Sequence, residues 1–536
     1  MSISRLVLSF HQVMKYIKNE GFLVTLSRCR RTVKTTPILK AWMNTHNDND
    51  NLQKVSGDVL FSIITPLYNT DAAFLKEMIE SVLSQTYGNW ELCLADGSDN
   101  EHDYVGSMCL EYAHKEQRIK YKKLDKNYGI VGNSNRCIEM SQGEYISLLD
   151  HDDILCPTAL ADTYKAVTSD EADFVYSDEM LFLSPDVKDV IAINFKSDYA
   201  SDNLNAQNYI CHFTSFRKSL LGGTDAFREG YEGSQDHDLF LRLTRVATRV
   251  VHIPKVLYYW RSHSQSTAQT IKSKPYASVS GVKAVQENLS GNGVSAEVVC
   301  HPKNPTIYKV QFSLCQPLPK VSVVLSSGNS DRCISSLRKT TYANYETVNA
   351  LKDATGEYLL FLDSNSKVIT PDWIEQMLMY AQRKDVGAVG GMILYPDNTV
   401  ENAGMIIGMG NVPVQPVSRG LRRGDSGYMG RLFYAQNMSA VSGACLMVRK
   451  DVFESIGGYD EEMPHEYKGI DLCLRLRQQG YLIVWTPWAE VYHYVSGKDL
   501  EESRYFINKW KELIEKGDPY FNPNLVQGKY GFVPKL

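Results

Sequence analysis

The chain has 536 residues, too many for one ordinary core, so two to four domains are expected. Its composition, 43% apolar, 22% charged and 11% aromatic, is that of an ordinary globular protein. The net charge of −5 lacks the basic excess that sequence-independent nucleic-acid binding exploits, so no nucleic-acid partner is expected.

Eleven cysteines are scattered singly with no Cys-x-x-Cys pair, which predicts reduced thiols in a cytoplasmic protein rather than a disulfide framework or zinc site. No apolar run reaches the roughly 18–20 residues of a membrane span. Lys15, Lys18 and Glu20 follow the short run Leu6 to Phe10, which is not the layout of a signal peptide.

Residues 1–57 read as a basic amphipathic segment followed by a linker. Residues 1–40 carry eight Lys or Arg against Glu20 alone, interleaved with Leu6, Phe10, Met14, Ile17, Phe22, Leu23 and Leu26 at helical spacing. Such a segment suits either the anionic cytoplasmic face of the inner membrane, giving a peripheral location, or a groove of its own protein. His46 to Asn51 is polar and turn-forming.

Strands and helices then alternate. Leu60 to Thr65 reads as a strand and Ala72 to Thr86 as an amphipathic helix. Glu91 to Ala95 is a strand, followed by a polar helix, the strand Ile119 to Lys123, a helix through Ile138 and the strand Glu144 to Leu149. This order predicts an α/β, Rossmann-like domain with a mostly parallel sheet covered on both faces.

Candidate chemistry falls where strands end. Asp150-His151-Asp152-Asp153 directly follows a buried strand, where ligands of open α/β sheets bind. Three adjacent carboxylates call for a counter-charge, and their oxygens suit Mg²⁺ or Mn²⁺; an acidic turn before a helix would also read this way. Asp236, in Ser234-Gln235-Asp236-His237-Asp238, opens a helix behind Gly230 and Gly233, as a presented carboxylate or as a helix cap. Arg261 and His263, in Trp260-Arg261-Ser262-His263, suit a phosphate and a metal, though a lone His is more often structural. Thr65-Pro66-Leu67-Tyr68-Asn69 ends the first strand, where Tyr68 can stack on a base, and Asp96-Gly97-Ser98 ends the second, where Asp96 can accept from a base N–H; both also fit plain turns.

The set Ser62 to Asn69, Ser84-Gln85-Thr86-Tyr87, Ala95-Asp96-Gly97-Ser98, Asp150-His151-Asp152-Asp153 and Gln235-Asp236 resembles the family 2 glycosyltransferases over about residues 60–268. The resemblance implies a GT-A fold and a nucleotide-sugar donor, held by Thr65, Pro66, Tyr68, Asn69, Asp96, Asp150 and Arg261. It further implies a divalent metal (Mn²⁺ or Mg²⁺) at Asp150, Asp152 and His263, with Asp236 as general base. The expected reaction is inverting transfer of a hexosyl or deoxyhexosyl group to a glycan or polyprenyl-diphosphate-linked acceptor, in cell-surface polysaccharide (O-antigen) synthesis. The alternative is a non-catalytic nucleotide-sugar or carbohydrate-binding protein. Asp96-Gly97 stands where many members have two acidic residues, which leaves the base open.

The chain repeats itself. Gln85-Thr86-Tyr87-Gly88-Asn89-Trp90-Glu91 matches Thr340-Thr341-Tyr342-Ala343-Asn344-Tyr345-Glu346, Gly143 to Asp150 matches Gly356 to Asp363, and Asp238 to Leu243 matches Asp471 to Leu476. The expected plan is therefore 1–57 segment and linker, 58–300 catalytic GT-A domain, 301–319 linker, 320–500 truncated GT-A-like domain, and 501–536 tail. Tyr87 and Gly143 are 56 positions apart, Tyr342 and Gly356 only 14, so the second copy lacks 42 residues, including the counterpart of Asp96. Asp363-Ser364-Asn365 replaces Asp150-His151-Asp152, Gly469 replaces Asp236, and Leu325 to Asn329 replaces Thr65 to Asn69. A non-catalytic scaffold or acceptor-binding domain is expected there.

Overall fold

The computed structural model describes residues 37–43, 45, 52–223, 226–263, 275–326, 330–409, 412–494, 503–528 and 531–536. The basic N-terminal segment (1–36) and the polar run 46–51 lie outside these. The chain forms two compact units, residues 200–207 and 294–535 making one and the rest of the first copy the other.

The first unit holds β1 (Phe61–Leu67), β2 (Trp90–Asp96), β3 (Ile119–Lys123), β4 (Tyr145–Leu148), β5 (Ile154–Leu155), β6 (Phe174–Leu183), β7 (Val190–Asn194), β8 (Thr214–Arg217) and β9 (Val250–Ser262). They form one sheet ordered β3-β2-β1-β4-β8-β6-β9-β5, with β7 on β6. Six of the nine strands run in one direction, and β5, β7 and β8 oppose them. β1 and β2 are buried at every position, which is why both read as near-continuous apolar runs. Helix Ala72–Leu83 buries Leu75, Met78, Ile79 and Val82, one face at helical spacing, and starts where Asp71 accepts from the N–H groups of Ala73 and Phe74.

The second unit repeats this plan with β12 (Val321–Leu325), β13 (Tyr345–Val348), β14 (Tyr358–Leu362), β15 (Ser366–Val368), β16 (Val386–Leu394), β17 (Val400–Asn402), β20 (Gln436–Asn437), β21 (Cys445–Arg449) and β22 (Leu482–His493). Its order β13-β12-β14-β21-β16-β22-β15 matches β2-β1-β4-β8-β6-β9-β5 strand for strand. Only a short turn, Leu351–Asp353, joins β13 to β14, so the missing 42 residues are β3 and the helices Tyr104–Lys115 and Gly129–Met140.

The repeated motifs place the same bonds in both units. Ser62 donates to Glu91 at 2.6 Å and accepts from the Gly143 N–H at 2.8 Å; Ser322, Glu346 and Gly356 repeat this at 2.6 and 2.8 Å. Tyr87 donates to the Val59 carbonyl and Tyr342 to that of Pro319. Asp238 pairs with Arg242 at 3.0 Å, and Asp471 with Arg475 at 2.8 Å.

A hairpin of β10 (Ala296–His301) and β11 (Asn304–Phe312) runs from the end of the expected 58–300 domain into the expected linker 301–319. Its alternation of Ile307 and Tyr308, Val310 and Phe312 with more exposed residues gives β11 a buried face, which the flanking prolines hid in sequence. The expected tail holds helices Arg504–Lys509 and Lys511–Lys516, and Trp510 and Lys509 both bind the Asp471 carboxylate. Helix Ser201–Ala206, though it lies between β7 and β8 in sequence, belongs to the second unit: Asp202 pairs there with Arg383 and accepts from the Asn437 amide at 2.6 Å. The ten described cysteines are free thiols, and no described helix is long and apolar enough to cross a membrane.

Candidate active site

β1 lies between β2 and β4, so the strand order reverses there, and the loops after these strands gather at a topological switch point. Three of the four expected donor loops leave the sheet at this place.

Near the end of β1 Thr65 is buried, and just past the strand Tyr68 is 47% exposed. Asn69 adopts a left-handed conformation (φ 48°), which Asn tolerates, and its backbone N–H donates to Ser98 at 2.9 Å. Its side chain donates to Asp99 and accepts from the Asp99 N–H, tying the loop after β1 to the loop after β2. Asp96 is fully buried. It accepts from the Ser98 N–H (2.8 Å), Tyr121 (2.8 Å) and Lys123 (3.1 Å). Burial works to raise its carboxyl, and these hydrogen bonds outweigh burial and hold it below the ordinary carboxylate range.

The carboxylates after β4 differ in environment. Asp150 is half-exposed, its Oδ2 lying 3.5 Å from His212 Nε2. Burial works to raise its carboxyl, yet His212 holds it below its ordinary value. Asp152 binds His263 at 2.9 Å. Asp153 is turned inward, where it accepts from the Tyr258 hydroxyl (2.5 Å) and the Arg261 N–H (2.7 Å). Burial first, and then the charges of Asp152 and Asp150, push it well above the ordinary range. Arg261 is also fully buried: its guanidinium donates to the Asp152 carbonyl at 2.6 Å, pairs with Glu77 and lies over the rings of Phe74 and Phe182.

Asp236 lies in the first turn of helix Gln235–Val246, half-buried, and accepts from the Asn208 amide at 2.8 Å. Cys211, which has a left-handed backbone (φ 38°), joins the two halves of the site. Its thiol is pushed up by burial and then by the charges of Glu179, Asp236 and Asp150.

The segment Asn208 to His212 had no pattern to announce it. His212 lies between Asp150 and Glu179, stacked on Tyr258 at 4.6 Å, and its two acidic neighbours overcome burial to raise it well above its ordinary value. Glu179 is buried against Lys196 at 3.1 Å. Burial raises it, but the Lys196 charge, with His212 and Asn194, brings it down to about 2. Glu179 had a legible signal, an acidic pair (Asp178-Glu179) inside the apolar run of β6.

Among the described residues no three His, Cys, Asp or Glu side chains gather closely enough to hold a metal. Asp150, Asp152 and His263 are thus not a finished three-ligand cage. Two carboxylates at a strand end still fit Mg²⁺ or Mn²⁺, which complete their shells with substrate phosphate oxygens.

Residues 62–223 match the family described as Glycosyl transferase family 2, and residues 327–511 match Glycosyltransferase like family 2, together more than half of the chain. The chain is 35% identical, over 90% of its length, to the uncharacterized protein y4gI of Sinorhizobium fredii. It is 31% identical, over 88%, to the O-antigen biosynthesis protein RfbC of Myxococcus xanthus. It spans 59% and 41% of the length of these relatives. The structure of S. aureus TarS 1-349 in complex with UDP-GlcNAc is similar over 43% of this chain and 71% of that one, with 17% identity and a TM-score of 0.34. Two matched family regions, carried on two sheets of one topology, lead to one conclusion: the chain belongs to the family 2 glycosyltransferases, with two GT-A domains in tandem.

Proposed function

We propose that the first unit transfers a hexosyl or deoxyhexosyl group, with inversion, from a nucleoside-diphosphate sugar to a glycan or polyprenyl-diphosphate-linked acceptor in cell-surface polysaccharide synthesis. The observation that carries this reading is that one short segment, Asn208 to His212, reaches Asp236 through the Asn208 amide and Asp150 through His212. Tyr68 and Asn69, with Thr65 and Pro66 behind them, form the donor face, and Asp96 shapes the base pocket by fixing Ser98 and Lys123.

Asp150 and Asp152 are the residues that would hold a Mg²⁺ or Mn²⁺ ion, with His263 orienting Asp152; bound there, the ion supplies charge neutralisation to the donor diphosphate. His212 adds positive charge beside Asp150. Arg261 acts as a positioning residue, fixing the carboxylate loop through the Asp152 carbonyl. Asp236 takes the proton of the acceptor hydroxyl while that oxygen attacks the anomeric carbon. The bond from that carbon to the diphosphate breaks, and the nucleoside diphosphate leaves from the opposite face.

The relative named for O-antigen biosynthesis supports the acceptor class. The basic residues of the N-terminal segment support a peripheral site on the cytoplasmic face of the inner membrane. The second unit is non-catalytic in this reading: it lacks β3, one carboxylate and the base. Gly469 has no room for an acid, since even a Cβ would lie 2.7 Å from Gly443 Cα.

The test is nucleoside diphosphate release from UDP-, dTDP- and GDP-sugars with Mn²⁺ or Mg²⁺ and a membrane-extract acceptor. Asp236→Asn is expected to lower turnover by about 10²–10⁴-fold with donor affinity retained. Tight donor binding without release by the wild type would support the binding-protein alternative.

A further inference from the structure

We infer that the second unit carries a pocket for one anionic sugar residue, a ring bearing a carboxylate or phosphate, lined by His301, Lys303, Arg422, Arg423, Trp488 and Glu490. The cavity, about 200 Å³, lies where hairpin β10–β11 meets the residues around β22. It is smaller than the roughly 300–1,000 Å³ of drug-sized sites, which limits it to one ring.

Its charges do not cancel. Glu490 is taken by Arg423 in a two-pronged pair (2.9 and 2.6 Å). Asp425 is buried and accepts from the Gly427 N–H at 2.9 Å. Lys303 and Arg422 form no ion pair among the described residues, so two exposed cations remain at the mouth. Gly424, with φ 87°, leaves the Lys303 ammonium its space, since a Cβ there would lie 3.3 Å from it.

The wall is aromatic: the Trp488 ring lies 5.7 Å from that of His301, with the Lys309 ammonium over its face. His301 is pushed down to about 4 by burial and by the Lys303 charge, so it is neutral at physiological pH and stacks on Phe433 at 4.4 Å. Met392 and Pro487 add apolar surface for the C–H face of a ring. Oxyanion to Lys303 and Arg422 and ring to the aromatic and apolar wall are the contacts that suit an acidic sugar. The pocket does not depend on the transfer reaction proposed above, which supplies only the source of its ligand, an acidic residue of the acceptor glycan.

The experiment titrates the full chain with glucuronate, glucose 6-phosphate and glucose by ligand-observed NMR. Both anionic probes, or one of them, are expected to bind at least tenfold tighter than glucose, and the preferred probe distinguishes a uronate from a sugar phosphate. Lys303→Ala with Arg422→Ala removes that preference, Trp488→Ala weakens binding about tenfold, and Asp236→Asn binds as the wild type does. Absence of binding, equal binding of glucose, indifference to these substitutions or loss in Asp236→Asn would each overturn the assignment. Binding that persists in a chain releasing no nucleoside diphosphate sinks the transfer reading and leaves the pocket standing.

Discussion

Three neighbouring carboxylates after β4 coexist because each has a different partner: Asp150 has His212, Asp152 has His263, and Asp153 is pushed up inside the fold. Asp153 faces the fold, its two oxygens accepting from the Tyr258 hydroxyl and the Arg261 N–H. Asp153→Asn is expected to keep nucleoside diphosphate release within a few-fold of wild type, whereas Asp152→Asn abolishes it. The second unit keeps a smaller version of this charge arrangement. His493 lies between Glu401 (3.0 Å) and Asp363 (3.6 Å); burial lowers it, but these acids raise it to about 9. The folded value exceeds the unfolded one of about 6.5, so the stabilisation is complete below that pH and lost as pH rises through about 9. Thermal melts should show His493→Gln less stable than wild type by order 1–3 kcal/mol at pH 6, with the gap closing by pH 10.

At the level of elements, the motifs that repeat are the ones that build the sheet. A Cβ on Gly143 would lie 2.5 Å from Ser62 Oγ and 2.6 Å from the Leu60 carbonyl, whereas one on Gly88 would meet nothing within 4 Å. Gly143→Ala is expected to lower stability by about 1–3 kcal/mol in chemical denaturation, with Gly88→Ala near neutral. This is why so much of the fold was legible: strands such as Ile119–Lys123 and the helix after Asp71 follow from periodicity and capping, and the repeats carry bonds that any copy of the fold needs. In the candidate site, the positions of the acids at strand ends, Asp96, Asp150 and Asp152, were legible. The site was not legible at Asn208 and His212, which take their places from tertiary packing between β7 and β8, nor at Arg261, whose burial a surface-minded reading of a charged residue misses.

For the molecule as a whole, the two units are copies of one plan. The second keeps the sheet order, lacks β3 and two helices beside it, and carries β10–β11 and the C-terminal helices. The path of the chain also bears on how such a protein can be taken apart. Helix Ser201–Ala206 leaves the first copy after β7, belongs to the second unit, and returns just before Asn208. A fragment ending at residue 293 would carry helix Ser201–Ala206 without the unit that covers it: Asp202 would lose Arg383 and Asn437, and Ala206 the apolar cluster of Ile307, Phe433 and Tyr434. Expressed alone, residues 37–293 are expected to be largely insoluble, and co-expression with 294–536 to restore them to the soluble fraction. The two halves are thus not interchangeable cassettes: recombination at the apparent boundary would part helix Ser201–Ala206 from the unit it belongs to, so the two copies are inherited together.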